Sequence, residues 1–191
     1  QLGDGTTTDS PVPVEVDGLV DVTGLSIGMA HTCALVGGGA VRCWGWNNFG
    51  QLGDGGVPPG VDDDGTHSTV PVAVVGLSGV SVLSEATGNG HVCAILAGGS
   101  VTCWGGNGYG QLGDGSLAHR SSPVAVAGLS RVTAISGAGG QSCAVAGGSV
   151  KCWGWNHYGQ LGDGTTTARP RPVAVALHGR PAWSPGPAPV A

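Results

Sequence analysis

Apolar residues in this chain fall in short runs that alternate with small or polar ones, and glycine closes nearly every run. A period of two over a few residues marks a half-buried strand. Helical spacing is absent, and 39 glycines in 191 residues would weaken any helix. Four strand signals recur in each unit of the chain. The first is led by proline and alternates: Pro11–Val16, Pro71–Val75, Pro123–Ala127. The second is β-branched: Val20–Ile27, Val80–Leu83, Val132–Ile135. The third and fourth flank a glycine turn. Cys143-Ala-Val-Ala precedes Gly147-Gly148, and Ser149-Val-Lys-Cys152 follows. A Gly-Gly loop suits a type I′ turn, which needs positive φ at both positions. The hairpins from Cys33 to Cys43 and from Cys93 to Cys103 are one residue longer, which predicts a three-residue bulged turn.

The fourth signal runs into one repeated phrase: CWGWNNFGQLGDG at 43–55, CWGGNGYGQLGDG at 103–115 and CWGWNHYGQLGDG at 152–164. The QLGDG part begins at Gln1, Gln51, Gln111 and Gln160, with spacings of 50, 60 and 49. The long spacing comes from an insertion, Gly56–Ser68. A fixed period of this length means a modular repeat. Four short antiparallel strands per unit describe a propeller blade. The predicted fold is all-β, a β-propeller of about three and a half repeats that forms an incomplete ring. The repeats occupy 1–176, with Pro172–Ala176 expected as the first strand of a fourth blade. Residues 177–191 lose the pattern and read as a proline-rich disordered tail. The chain opens inside a repeat phrase and its single Met is Met29, so both ends look cut.

Charge narrows the function. Residues 1–168 hold four basic groups (Arg42, Arg120, Arg131, Lys151) and all twelve acidic ones, a balance of −8. No basic stripe exists to neutralise phosphates, which disfavours nucleic acid as a partner. No run of about 20 apolar residues spans a bilayer.

The cysteines pair by position. Cys33/Cys43, Cys93/Cys103 and Cys143/Cys152 flank their turns symmetrically and face each other across the hairpin. Opposed residues sit about 4.5–5.5 Å apart, which suits a disulfide. Such a loop would contribute about 2.5–3 kcal/mol in the chain-entropy model, and it implies an oxidising compartment. The alternative is a reduced pair buried as small hydrophobes. The spacing is too wide for a structural zinc site.

Trp44, Trp104 and Trp153 are expected to pack between blades. Trp46 and Trp155 recur, but Gly106 takes their place in the middle copy, so these two are candidate partner contacts. Asn47, Asn107 and Asn156, with Asp54, Asp114 and Asp163, recur beside glycine and read as turn residues. His31 and His91 precede the first Cys, where the third copy has Gln141; a histidine that glutamine replaces is a hydrogen-bonding spacer. The insertion carries Asp62, Asp63, Asp64 and His67, which could meet a cation or a basic partner surface, or be a solvated acidic loop. It lacks the spacing of an EF-hand. No nucleophile–base arrangement, metal triad or phosphate-cradling loop stands out, and no cofactor is expected.

Gly28-Met29-Ala30-His31-Thr32-Cys33-Ala34-Leu35 and Val41–Gly53 resemble the regulator of chromosome condensation repeat, and the likeness recurs over nearly all of 1–176. The paired cysteines look like a bacterial, exported branch of that family. The resemblance implies a propeller, commonly of seven blades, which about three and a half repeats cannot close; it therefore implies a piece of a longer propeller, or an open arc that the remainder of the propeller or a second chain completes. Members include a chromatin-bound nucleotide-exchange factor, a plant ultraviolet-B photoreceptor and a bacterial inhibitor of β-lactamases. The photoreceptor motif has tryptophan where this chain has Met29, Asn89 and Gly139. The expectation is a non-catalytic module of a bacterial secreted or surface protein that binds an unknown protein or glycan, located outside the cell, in the periplasm or on the surface. The alternatives are a structural spacer array, an exchange-factor-like regulator by family analogy, and a propeller hydrolase relying on Asp62–Asp64 and Glu85.

Overall fold

A computed structural model describes residues 1–56, 67–84, 86–87 and 90–176. Asp62, Asp63, Asp64, Glu85, Asn89 and the tail from Leu177 onward lie outside the described residues. Thirteen strands are present among those described. The first blade consists of β1 (Gly24–Ile27), β2 (His31–Val36), β3 (Ala40–Trp46) and β4 (His67–Ala73), paired in that order. The second consists of β5 (Val80–Leu83), β7 (His91–Leu96), β8 (Val101–Gly105) and β9 (Arg120–Ala125). Between β5 and β7, the two-residue β6 (Ala86–Thr87) crosses over and pairs in parallel with the third blade. That blade consists of β10 (Val132–Ala138), β11 (Gln141–Ala146), β12 (Ser149–Gly154) and β13 (Arg169–Ala174). The fold is all-β, three four-stranded antiparallel blades set as an open, incomplete propeller arc. Among the described residues no helix is long and apolar enough to cross a membrane.

The proline-led runs belong to a different blade from the one their position in the repeat suggests. Each is the outer strand of the preceding blade: β4 pairs with β3, β9 with β8 and β13 with β12. Arg169–Ala174 therefore completes the third blade instead of starting a fourth. Pro11–Val16 forms no strand, because no preceding third strand is present among the described residues for it to pair with. Proline is tolerated at these positions because an outer strand needs only one of its two hydrogen-bonding edges.

The hairpins follow their turn chemistry. Gly147 and Gly148 have φ of 56° and 81°, and they join β11 to β12 with Val145 opposite Val150 and Cys143 opposite Cys152. The three cysteine pairs lie in register with Cα atoms 4.0–4.1 Å apart, and each is joined as a disulfide.

Blades are joined through one tryptophan each. Trp104 is fully buried, and its indole N–H donates to the Gln51 carbonyl at 3.0 Å. Trp153 donates to the Gln111 carbonyl and Trp44 to that of Gln1, both at 2.8 Å. The QLG segment leaving one blade thus docks on the tryptophan of the next. Its glycine is required by this close approach: a Cβ at Gly53 would lie 2.9 Å from the Trp104 ring, and one at Gly113 would lie 2.7 Å from that of Trp153. Leu52 and Leu112 fill the seam behind. Trp104 sits in one apolar cluster with Cys33, Leu35 and Val41 of the first blade, and Trp153 with Ile95 and Val101 of the second. The phrase that reads as a loop is the contact between repeats.

Candidate protein-binding face

The chain leaves each third strand through a short loop: Trp46-Asn-Asn-Phe49, Gly106-Asn-Gly-Tyr109 and Trp155-Asn-His-Tyr158. Polar side chains hold these loops rigid from below. The Asn107 amide oxygen accepts the Leu112 N–H at 3.0 Å, and its amide nitrogen donates to Asp114 and to the carbonyls of Ser116 and Ala118. Asn156 repeats the pattern with Leu161, Asp163 and the carbonyls of Thr165 and Thr167. Gln51, Gln111 and Gln160 each accept the N–H of the aromatic residue two positions earlier, at 2.8–2.9 Å. The Arg120 guanidinium meets Asp114 at 2.9 Å, and that of Arg169 meets Asp163 at 2.7 Å. Asparagine and aspartate are thus spent on the turn.

Asn107→Ala would strip a buried N–H of its acceptor. The expected cost is about 1–3 kcal/mol of unfolding free energy, read by urea denaturation. A loss under a few tenths would contradict this role.

The rigid loops raise a ribbon of aromatic rings. Trp46 packs edge-on against Phe49, with centroids 5.2 Å apart, and Phe49 lies 4.9 Å from the His119 ring of the second blade. Tyr109 reaches Trp155 of the third blade at 5.6 Å, and Trp155 packs edge-on against Tyr158 at 5.5 Å. His157 extends the row beside Tyr158. Tyr109 is 44% exposed and Tyr158 78% exposed, while Trp46, Phe49, His119 and Trp155 are half-buried. Between the His119 and Tyr109 ends of the ribbon lies a cleft of about 370 Å³, lined by Phe49, Gly106, Gly108, Tyr109, Gln111 and His119. The Asn107 backbone N–H donates to Nδ1 of His119 at 2.8 Å, and burial holds the imidazole below its usual pKa.

The structure places the expected contact residues unevenly. Trp46 and Trp155 both lie in the ribbon. His67 is exposed, opposite Trp46 on β4. Phe49, Tyr109, Tyr158 and His119 escape the sequence reading. The three aromatics are hidden inside a phrase that looks wholly structural. His119 had a signal: like His67, it stands four residues before the proline of its outer strand.

His31 and His91 are buried, with pKa values pushed down to about 4. Desolvation causes both shifts, with the neighbouring His31 adding to that of His91. Among the described residues no group of three or more His, Cys, Asp or Glu side chains could hold a metal ion.

Residues 38–95, 98–145 and 147–181 match the regulator of chromosome condensation (RCC1) repeat, and residues 22–51 match a second form of it. The chain belongs to this family. It is 37% identical over 128 residues to human HERC2, an E3 ubiquitin-protein ligase, and 32% identical over 129 residues to the ultraviolet-B receptor UVR8 of Arabidopsis thaliana. Each match takes in 66% of the chain but only 2% and 28% of those proteins. The fold superposes on Prp20p of Saccharomyces cerevisiae with a TM-score of 0.70 at 21% identity, over 83% of this chain and 39% of that one. Human WBSCR16 superposes with a TM-score of 0.66 at 23% identity, over 80% and 37% of the two chains. The chain therefore spans well under half the length of these relatives.

These relatives are eukaryotic, which overturns the bacterial exported branch and, with it, the extracellular, periplasmic or surface location. The error has a physical source. Antiparallel register alone brings the cysteines opposite each other, so the pairing reports hairpin geometry and says nothing of the compartment. The unknown protein-or-glycan partner is corrected in the same way. The partners named for the yeast relative are proteins: Gsp1p, histones and Kap60.

Proposed function

We propose that this RCC1-repeat chain is a non-catalytic regulatory propeller that binds a protein partner across its aromatic ribbon, in the manner of a guanine-nucleotide exchange-factor-like regulator. The ribbon carries the reading. Soluble surfaces seldom keep seven aromatic or imidazole rings in one row, and partly exposed aromatic patches on rigid loops mark interaction sites. Tyrosine and tryptophan dominate binding energy where they form such anchors. Family membership supports a regulator, and the yeast relative's binding to Gsp1p supplies the class of partner to test.

The test is binding of Gsp1p to the immobilised chain, with release of a fluorescent guanine nucleotide as a second readout. Measurable affinity is expected for the chain as it stands. Trp155→Ala should weaken it about tenfold or more, as for an interface hot spot, while the melting temperature falls only slightly because Trp155 contacts exposed rings. No binding by the unaltered chain, or equal binding by the variant, would sink the proposal.

A further inference from the structure

In the first and third blades the residue after the repeated glycine is tryptophan, and it packs edge-on against the aromatic residue three positions later: Trp46 on Phe49, Trp155 on Tyr158. The second blade keeps the acceptor ring, Tyr109, but has Gly106 where the tryptophan should stand. The backbone has not moved to compensate. The N–H of Trp46 donates to the Ala30 carbonyl at 2.8 Å, that of Trp155 to Gly140 at 2.9 Å and that of Gly106 to Gly90 at 2.8 Å. Gly106 is not among the positive-φ glycines, so its conformation does not call for glycine. The His119 ring takes over the contact with Phe49 that a tryptophan here would make, as Trp155 does with Tyr109, and a cleft of about 370 Å³ remains between His119 and Tyr109. Its walls are aromatic and come from two blades, with Phe49 and His119 on one side and Tyr109 on the other.

We propose that this cleft is a socket for an aromatic side chain, an indole ring, projecting from the protein partner, which takes the place that Trp46 and Trp155 hold in the flanking blades. The inference rests on the protein-binding reading above and adds the chemistry of the anchor. The flanking blades define the occupant. In both, an indole is the group that fills this position and pairs with the loop aromatic. A ring entering beside Tyr109 would complete the interrupted row from Trp46 to Tyr158. Aromatic pairs of this kind add to what area burial alone provides, and a preformed socket costs little reorganisation on binding.

The experiment titrates N-acetyl-tryptophanamide into the isotope-labelled full chain and follows the backbone amides of Tyr109, Gln111 and His119. Saturable shifts are expected with a Kd on the order of 1 mM, and the corresponding leucine amide should bind at least tenfold more weakly. Gly106→Trp should abolish the shifts. It should fold, because the same backbone carries tryptophan in both flanking blades. Should it not fold, Tyr109→Ala removes one wall from an exposed loop and should weaken binding about three- to tenfold. Absence of shifts at 20-fold the expected Kd, or equal shifts in the filled variant, would overturn the socket. Binding seen only after Trp183→Ala would mean that the chain's own tail fills it, and would overturn a partner's ring. With Gsp1p as ligand, Gly106→Trp should lose at least tenfold in affinity. Unchanged affinity there rejects the socket and leaves the regulatory reading standing. Failure of Gsp1p to bind the unaltered chain rejects that reading, and the amide titration still decides the socket.

Discussion

Trp104→Ala should lower the unfolding free energy by about 3–5 kcal/mol, the range for deleting a fully buried aromatic side chain. Three contributions point the same way. The indole is completely buried in the cluster between the first and second blades. Its N–H is the donor to the Gln51 carbonyl, which would be left buried without this bond. The segment that carries Gln51 is the link by which one blade docks on the next, and Gly53 leaves no side chain to fill the void. For a chain of this size, such a loss shifts the melting temperature by about 6–20 °C.

The shape of the transition should change as well. Repeat proteins are held by nearest-neighbour interfaces, so weakening one uncouples the units on either side. Calorimetry of the variant should resolve a separate early transition for the first blade. Trp104→Phe should lose less, mainly the hydrogen bond, at about 1–2 kcal/mol. A drop of under 3 °C for the alanine variant would show that the seam does not depend on this ring.

Acid should destabilise the propeller already between pH 7 and pH 5. His31 and His91 have native pKa values of about 4, so both are neutral in the folded state. The unfolded chain binds their protons near pH 6.5. A depressed histidine pKa therefore contributes stability that is complete above pH 6.5 and is lost as the pH falls toward 4. Between pH 7 and 5 the loss is on the order of 2 kcal/mol for each histidine.

Burial disfavours the charged ring at both sites, and the hydrogen bonding around them offers no compensation. The hydroxyl of Ser142 donates to the Gln111 carbonyl at 2.9 Å, so its oxygen accepts the Nε2–H of His91 at 3.0 Å. Nδ1 of His91 then has no hydrogen-bond partner among the described residues. In the first interface Val92 stands in register where Ser142 stands in the second, and Nε2 of His31 is likewise without a partner among the described residues. Charging either ring would bury an unpaired cation. Urea denaturation at pH 7 and pH 5 measures the effect. His31→Gln and His91→Gln borrow the residue found at Gln141, and each should remove about half of the pH dependence. Equal stability of the unaltered chain at the two pH values would refute this account.

Much of this molecule was legible in local sequence, for local reasons. Strand period, glycine turns and the opposition of the cysteines depend on residues within about ten positions of one another, and each came directly from spacing. The motif Gly28-x-x-His31 also has a local cause, because a Cβ at Gly28 would overlap the His31 imidazole. The compartment was misread because register brings cysteines together whether or not they are destined for an oxidising environment. The proline-led runs were assigned to the wrong blade because nothing in a strand's own sequence states which edge it will join.

By itself, then, the sequence determined the repeat, its strands, its turns and the family, since these follow from short-range periodicity and backbone chemistry. Only the tertiary structure decided the functional face. Phe49 meets His119 across 70 positions, and Tyr109 meets Trp155 across 46. Those contacts depend on how one blade is rotated against the next, which no single repeat encodes. The absence of a side chain at Gly106 was visible as a letter; that it opens a cleft between two aromatic walls required the neighbouring blade to be in place.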